Sequence, residues 1–96
     1  MTKAELVSKI AEKTGVEKLT TLAIVESMMN EIKNSISANE AVFLRGFGTF
    51  KAKKRAEKTG RNISKNTTIK IPAHNIPAFK PAKTFTEGVK KRVLVK

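Results

Sequence analysis

Ala41-Val42-Phe43-Leu44-Arg45-Gly46-Phe47-Gly48-Thr49-Phe50-Lys51-Ala52-Lys53 is the stretch that decides the fold. Two runs rich in apolar residues flank Gly46-Phe47-Gly48, which predicts a β-hairpin around a glycine-containing loop of three. Glycine admits positive φ and, lacking a Cβ, lets another backbone come close. The loop does not have the spacing of a phosphate-binding loop and no Lys-Ser/Thr pair follows it, so a nucleotide site is excluded here.

Downstream, residues 51–70 hold eight basic side chains, Lys51, Lys53, Lys54, Arg55, Lys58, Arg61, Lys65 and Lys70, against the single acid Glu57. Between Lys53 and Thr68 the only apolar side chains are Ala56 and Ile63, so this segment has almost nothing to bury in a core. Ala52-Lys53 and Ile69-Lys70-Ile71 still read as strands entering and leaving it, with the turn formers Thr59-Gly60-Arg61-Asn62 between them. A long hairpin protruding into solvent over about residues 53–70 satisfies both facts. Pro72 ends the returning strand, because proline cannot donate to a central ladder. Pro77 and Pro81 keep Ala78-Phe79-Lys80 extended. Phe85, Val89 and Val93, four apart, then predict a short last helix with Lys83, Glu87 and Lys90 toward water. The tail 91–96 fits a helical extension, a short strand or a frayed end.

Upstream the period is helical. Thr2-Lys3-Ala4-Glu5 fits a capping box. Leu6, Val7, Ile10 and Ala11 share one face, and Gly15 stands where a left-handed stop is wanted, so a first helix spans about 3–14. A second runs from about Lys18 to Ala38, with Leu22, Val25, Met29, Ile32 and Ile36 in one stripe that Ile24 and Met28 widen. Glu17 is a poor N-cap for it. So broad an apolar face in a 96-residue chain is expected to pack on a second subunit as well as internally.

Composition sets the functional class. Residues 1–44 carry five Lys and six Glu, whereas residues 45–96 carry fifteen Lys or Arg against Glu57 and Glu87. A near-neutral half joined to a cationic half suggests a folding platform bearing a polyanion-binding surface. There is no Cys and no Asp, and His74 is the one histidine. Nucleophilic triads, paired-carboxylate chemistry and metal sites lack their residues, so the reading is a non-enzyme without cofactor or metal. No signal-peptide core or bilayer-length apolar run is present. A membrane-surface role fares poorly too, since the basic half lacks helical apolar periodicity and any Trp or Tyr. The expected compartment is the cytoplasm.

Several spaced motifs resemble the HU/IHF family of bacterial DNA-architectural proteins. They are Leu44-Arg45-Gly46-Phe47-Gly48-Thr49-Phe50, Arg55-Ala56, Thr59-Gly60-Arg61-Asn62 and Ile76-Pro77-Ala78-Phe79-Lys80-Pro81. Lys3, Leu6, Ile10-Ala11-Glu12-Lys13 and Glu26-Ser27 agree as well, and the likeness covers about residues 1–91. It implies an α+β fold: two N-terminal helices, a three-stranded antiparallel sheet with a long protruding β-ribbon arm, and a short C-terminal helix. A single domain over 1–96 would then divide into a helical dimerisation base (1–40), a β-saddle (41–81) and a C-terminal helix and tail (82–96). Two copies would form an intertwined homodimer with Leu22, Val25, Met29, Ile32, Ile36, Phe43, Phe47, Phe50 and Phe79 in its core.

The implied function is binding, bending and compaction of duplex DNA in the nucleoid, with weak sequence preference and a preference for bent, nicked or gapped duplex. Lys53, Arg55, Lys58, Arg61 and Lys65 would line the arm, with Arg61 and Asn62 beside an apolar wedge at the tip that enters a base step. Minor-groove wedge insertion is a recognised mode of such architectural proteins, this family among them. Arg45, Gly46 and Gly48 in the hairpin would contact DNA, and Lys3, Lys80 and Lys83 on the body would meet phosphates. Three departures stand out: Ile63 replaces the wedge proline, Ala82 stands where glycine is common, and the tail beyond Lys91 outruns the usual end. The competing readings are a sequence-specific IHF-like subunit and an RNA-binding or ribosomal protein. The second lacks a stacking platform, because all five Phe fall in core-like patterns.

Overall fold

The computed structural model describes residues 1–62 and 67–95 and shows two compact units, 1–34 and 35–96. In the first unit α1 spans Lys3–Thr14. Thr2 is its N-cap, accepting through Oγ1 from the Glu5 N–H at 3.2 Å, and Gly15 closes it at φ 75°. The Thr14 hydroxyl donates to the Ile10 carbonyl at 2.7 Å and accepts from Val16 N–H at 3.3 Å, tying the helix end to the connector. A second helix, α2, covers Lys18–Ser37. Only Val7, Thr21 and Val25 are buried in this part of the chain. Buried Thr21 is satisfied locally, its hydroxyl donating to the Glu17 carbonyl at 2.9 Å.

The second unit begins with the end of α2. Glu40 N–H bonds the Ser35 carbonyl (2.8 Å), Asn39 N–H bonds that of Ile36 (2.9 Å), and Asn39 takes φ 60°. That is a Schellman closure with asparagine at the left-handed position, and it turns the chain from helix to strand. Strands β1 (Val42–Leu44), β2 (Gly48–Arg55) and β5 (His74–Pro81) form an antiparallel sheet in the order β1-β2-β5. Pro77 and Pro81 lie on β5, where one side carries no ladder among the described residues and proline is tolerated. A separate two-stranded ribbon pairs β3 (Lys58–Asn62) with β4 (Thr67–Ile71). Helix α3, Lys83–Arg92, follows β5 with Ala82 as an N-cap that makes no side-chain bond. Lys90, Lys91 and Arg92 in its last turn complement the negative end of the helix dipole.

Four phenylalanines pack the hairpin turn, β2, β5 and α3 together. The Phe50 and Phe79 ring centroids lie 4.7 Å apart, Phe47 and Phe79 5.2 Å, and Phe47 stacks on Phe85 at 5.4 Å. Pairs of this kind contribute about 0.5–1.5 kcal/mol each beyond burial.

Three expectations need correction. Gly48 belongs to β2 and not to the loop, so the turn is Arg45-Gly46-Phe47, closed by Phe47 N–H to the Leu44 carbonyl at 2.9 Å. Thr59-Gly60-Arg61-Asn62 is strand and not turn, because the β-branched run Thr67-Thr68-Ile69 supplies a ladder that overrides local turn preference. Finally, Val93 caps α3 instead of extending it, and Leu94 and Val95 are exposed. Apart from these, Phe43, expected in a dimer core, stands away from the other phenylalanines within the single chain. It is paired with Thr49, on the face opposite the Phe50–Phe79 pair, and 77% exposed. The period-2 alternation of β1 turns Val42 and Leu44 inward in its place.

Candidate nucleic-acid interface

The register of β2 against β5 sorts the sheet into two chemically distinct faces. Phe50 pairs with Phe79 and Ala52 with Pro77 on one face, which is apolar up to Lys54 opposite Asn75. Alternation puts Lys51, Lys53 and Arg55 on the other face, opposite Ala78, Ile76 and His74, and the Thr49–Lys80 pair adds Lys80 to it. All four cations are exposed. The sheet thus presents a row of charge about two residues apart along one strand, backed by an aromatic layer.

The row ends where both strands break together. Arg55 pairs with His74, Lys58 pairs with Ile71, and two residues on each side, Ala56-Glu57 and Pro72-Ala73, are unpaired between them. Pro72 has no N–H to continue the ladder. At this elbow Glu57 is held by Lys70 at 2.8 Å, so the one acid of the basic stretch is neutralised by the returning strand. Arg55 and Lys58 therefore stand without an acidic partner among the described residues. Beyond the elbow the backbone pairs Arg61 with Thr68 and Asn62 with Thr67. Ile63 and Lys65, the expected wedge and the last arm cation, lie outside the described residues.

A second cationic patch lies at the hairpin. A shallow cleft of about 470 Å³ brings Arg45, Gly46 and Gly48 together with Lys80, Lys83 and the exposed Phe43. Ala82 N–H bonds the Phe47 carbonyl at 2.9 Å and fixes the start of α3 against the turn. Gly46 needs its φ of 78°, which turns the chain tightly enough to place Arg45 at the rim. Lys3 is differently disposed. It belongs to the helical unit, and its ammonium sits 2.9 Å from Glu26.

The residues expected in a dimer core divide by exposure. Val25 is buried; Leu22, Ile32, Ile36 and Phe50 are half-buried; Met29, Phe47 and Phe79 keep 36%, 46% and 39% of their surface. Lys51, which the sequence reading left unassigned, stands in the same exposed row, as its i, i+2, i+4 spacing with Lys53 and Arg55 on one strand requires.

The sequence profile of the family described as bacterial DNA-binding protein matches residues 1–90. The chain is 42% identical over 92 residues to the SPbeta prophage-derived DNA-binding protein HU 2 of Bacillus subtilis, covering 96% of this chain and all of the relative. It is 44% identical over 90 residues to DNA-binding protein HU-alpha of Escherichia coli, covering 94% of this chain and all of that one. Among solved structures, HU in the Anabaena HU–DNA cocrystal superposes with a TM-score of 0.89 at 38% identity, over 93% of this chain and 97% of that one.

Proposed function

Because the chain belongs to the bacterial DNA-binding protein family, we propose that it binds duplex DNA as an HU-type architectural protein of the nucleoid, bending and compacting it with weak sequence preference. The observation that carries this reading is the two-faced sheet. Lys51, Lys53, Arg55 and Lys80 line the face opposite the aromatic layer, and Lys58 continues the charge into the ribbon. Such contacts release counterions from the phosphate backbone and set the register of the protein on the duplex without reading sequence.

The proposed arm contacts are Lys53, Arg55, Lys58, Arg61, Asn62 and Lys65, with Ile63 as the wedge. The body contacts are Arg45, Gly46, Gly48, Lys80 and Lys83, with Lys3 joining only if it leaves Glu26. Unstacking one base step costs a few kcal/mol, offset by the extra surface that a bent duplex reaches. Nicked or gapped DNA avoids part of that cost and should bind more tightly. The working unit is a homodimer, supported by the apolar surface each chain leaves uncovered. Leu19, Ile24, Met28 and Met29 of α2 are 72%, 59%, 52% and 36% exposed, and covering each by a partner contributes roughly that fraction of the about 1.5–3 kcal/mol for full burial. DNA binding without catalysis, in the cytoplasm, completes the reading.

Fluorescence anisotropy across a salt series tests it, comparing an intact duplex, a nicked duplex of the same sequence and a matched RNA duplex. DNA should be preferred, with the nicked form bound most tightly. Affinity should fall by roughly 10³–10⁵ between 50 and 200 mM salt for six to ten phosphate contacts. Equal binding of RNA with no effect of the nick would put an RNA-binding role ahead.

A further inference from the structure

The chain's single histidine lies at the end of the cationic row. His74 pairs with Arg55 across the ladder, so register places it on the face that carries Lys51 and Lys53. Its Nδ1 lies 3.0 Å from the Pro72 carbonyl oxygen. A carbonyl only accepts, so Nδ1 carries the proton and Nε2 of the neutral ring is left bare. The ring borders an elbow cleft of about 680 Å³, where Arg55 and Lys58 supply charge over Ile71 and Ile76. Glu57 also lines the cleft, but its carboxylate is engaged by Lys70 from β4 at 2.8 Å. Asn75, next along β5, pairs with Lys54 on the opposite face.

We propose that the elbow is a proton-linked phosphate site: a DNA phosphate entering between Arg55, Lys58 and His74 accepts a hydrogen bond from Nε2, which takes up one proton from solvent as it binds. The inference rests on the DNA-binding reading above and adds to it a residue whose charge depends on pH. An anion against the ring favours the imidazolium. The bound state therefore holds more protons than the free state, and affinity rises as pH falls through the histidine range. The Pro72 bond keeps the ring oriented in both states, since Nδ1–H donates to that carbonyl whether or not Nε2 is protonated. Lysine, arginine and glutamate side chains keep their charge from pH 8 to 6, whereas an α-amino group also titrates near the top of that interval, so the part of the slope that His74→Gln removes is the part that reports the imidazole.

The test measures affinity for one intact duplex between pH 8 and 6 at constant ionic strength, for the wild type, His74→Gln and His74→Arg. The imidazole proton signal, unambiguous with one histidine, is followed by NMR with and without the same duplex. Wild-type affinity should rise about three- to tenfold per arm, and the imidazole midpoint should move upward in the complex by about half to one pH unit. His74→Gln should flatten the slope, and His74→Arg should bind tightly without one. The NMR titration needs no variant, so it stands even if a substitution fails to fold. If the wild type binds DNA but the midpoint stays put, or if His74→Gln keeps the slope, His74 is no phosphate ligand. Absence of DNA binding at every pH would overturn the parent reading and this one together.

Discussion

A Cβ placed on Gly48 would stand 2.5 Å from Phe79 Cε1 and 2.6 Å from the Lys80 carbonyl oxygen. Gly46, two residues earlier, has nothing within 4 Å of that position but holds φ at 78°. The two glycines of one tripeptide are thus required for different reasons, one for conformation and one for space. Gly48 lies where β1, β2 and β5 meet, opposite both Leu44 and Pro81, and the Phe79 ring closes over it.

Gly48→Ala should therefore destabilise the fold by about 1–3 kcal/mol, the usual cost of overpacking. One of the atoms it meets is backbone and cannot rotate away. For a domain of this size each kcal/mol lowers Tm by about 4–8 °C. Gly46→Ala should cost about 1–2 kcal/mol through left-handed strain alone. Thermal unfolding followed by circular dichroism measures both, and an unchanged Tm for Gly48→Ala would show that the Phe79 ring and the Lys80 carbonyl both give way at little cost.

The backbone plan was legible in the sequence because its signals are local. Thr2 and Gly15 bracket α1, the stripe from Leu22 to Ile36 defines α2, and the break at Pro72 separates sheet from ribbon. The ribbon's strand at Thr59–Asn62 was not legible, since Gly60 and Asn62 favour turns and only the distant Thr67–Ile71 partner decides the matter. The face that Phe43 occupies was not legible for a related reason. Hydrophobicity says that a residue tends to be buried, whereas the face it occupies follows from register, which needs the Thr49 and Phe50 pairings. The acid–base pairing of Glu57 with Lys70 crosses thirteen residues and has no sequence signature.

Phe43 and Phe79 should respond differently to truncation. Phe43, exposed and away from the aromatic layer, behaves as a surface residue in the chain, and Phe43→Ser should change stability by no more than about 0.5 kcal/mol. Phe79 touches the rings of Phe47, Phe50 and Phe85. Its partial exposure lowers the expected cost of Phe79→Ala below the 3–5 kcal/mol of a fully buried ring, to about 2 kcal/mol or more. Urea unfolding at fixed protein concentration compares the two. A large loss for Phe43→Ser would mean that a partner subunit covers it.

Glu57→Gln should strengthen DNA binding while barely touching stability. The pair with Lys70 is exposed, with 49% and 77% of the side-chain surfaces open, so its loss costs at most about 1 kcal/mol. Freeing Lys70 adds one cation to the arm. If that cation reaches a phosphate, the slope of log affinity against log salt steepens by about 0.9. An unchanged slope would place Lys70 away from the backbone track.

Ile63→Ala separates gripping from bending. The wedge role rests on sequence, since Ile63 is the one large apolar residue across the arm tip. Phosphate contacts by Lys53, Arg55 and Lys58 do not depend on it, so salt-dependent affinity should largely survive. Insertion requires apolar bulk between base pairs, and alanine has too little of it to hold a step open. End-to-end energy transfer on a doubly labelled duplex should therefore report a straighter complex for Ile63→Ala at saturating protein. A variant with proline at position 63 provides the converse comparison. It has a fixed φ and no free N–H at the tip, and should hold the kink with less spread in the measured distance. If Ile63→Ala bends the duplex as strongly as the wild type, bending arises from the flanking charge of Lys80 and Lys83, and the arm tip is only a tether.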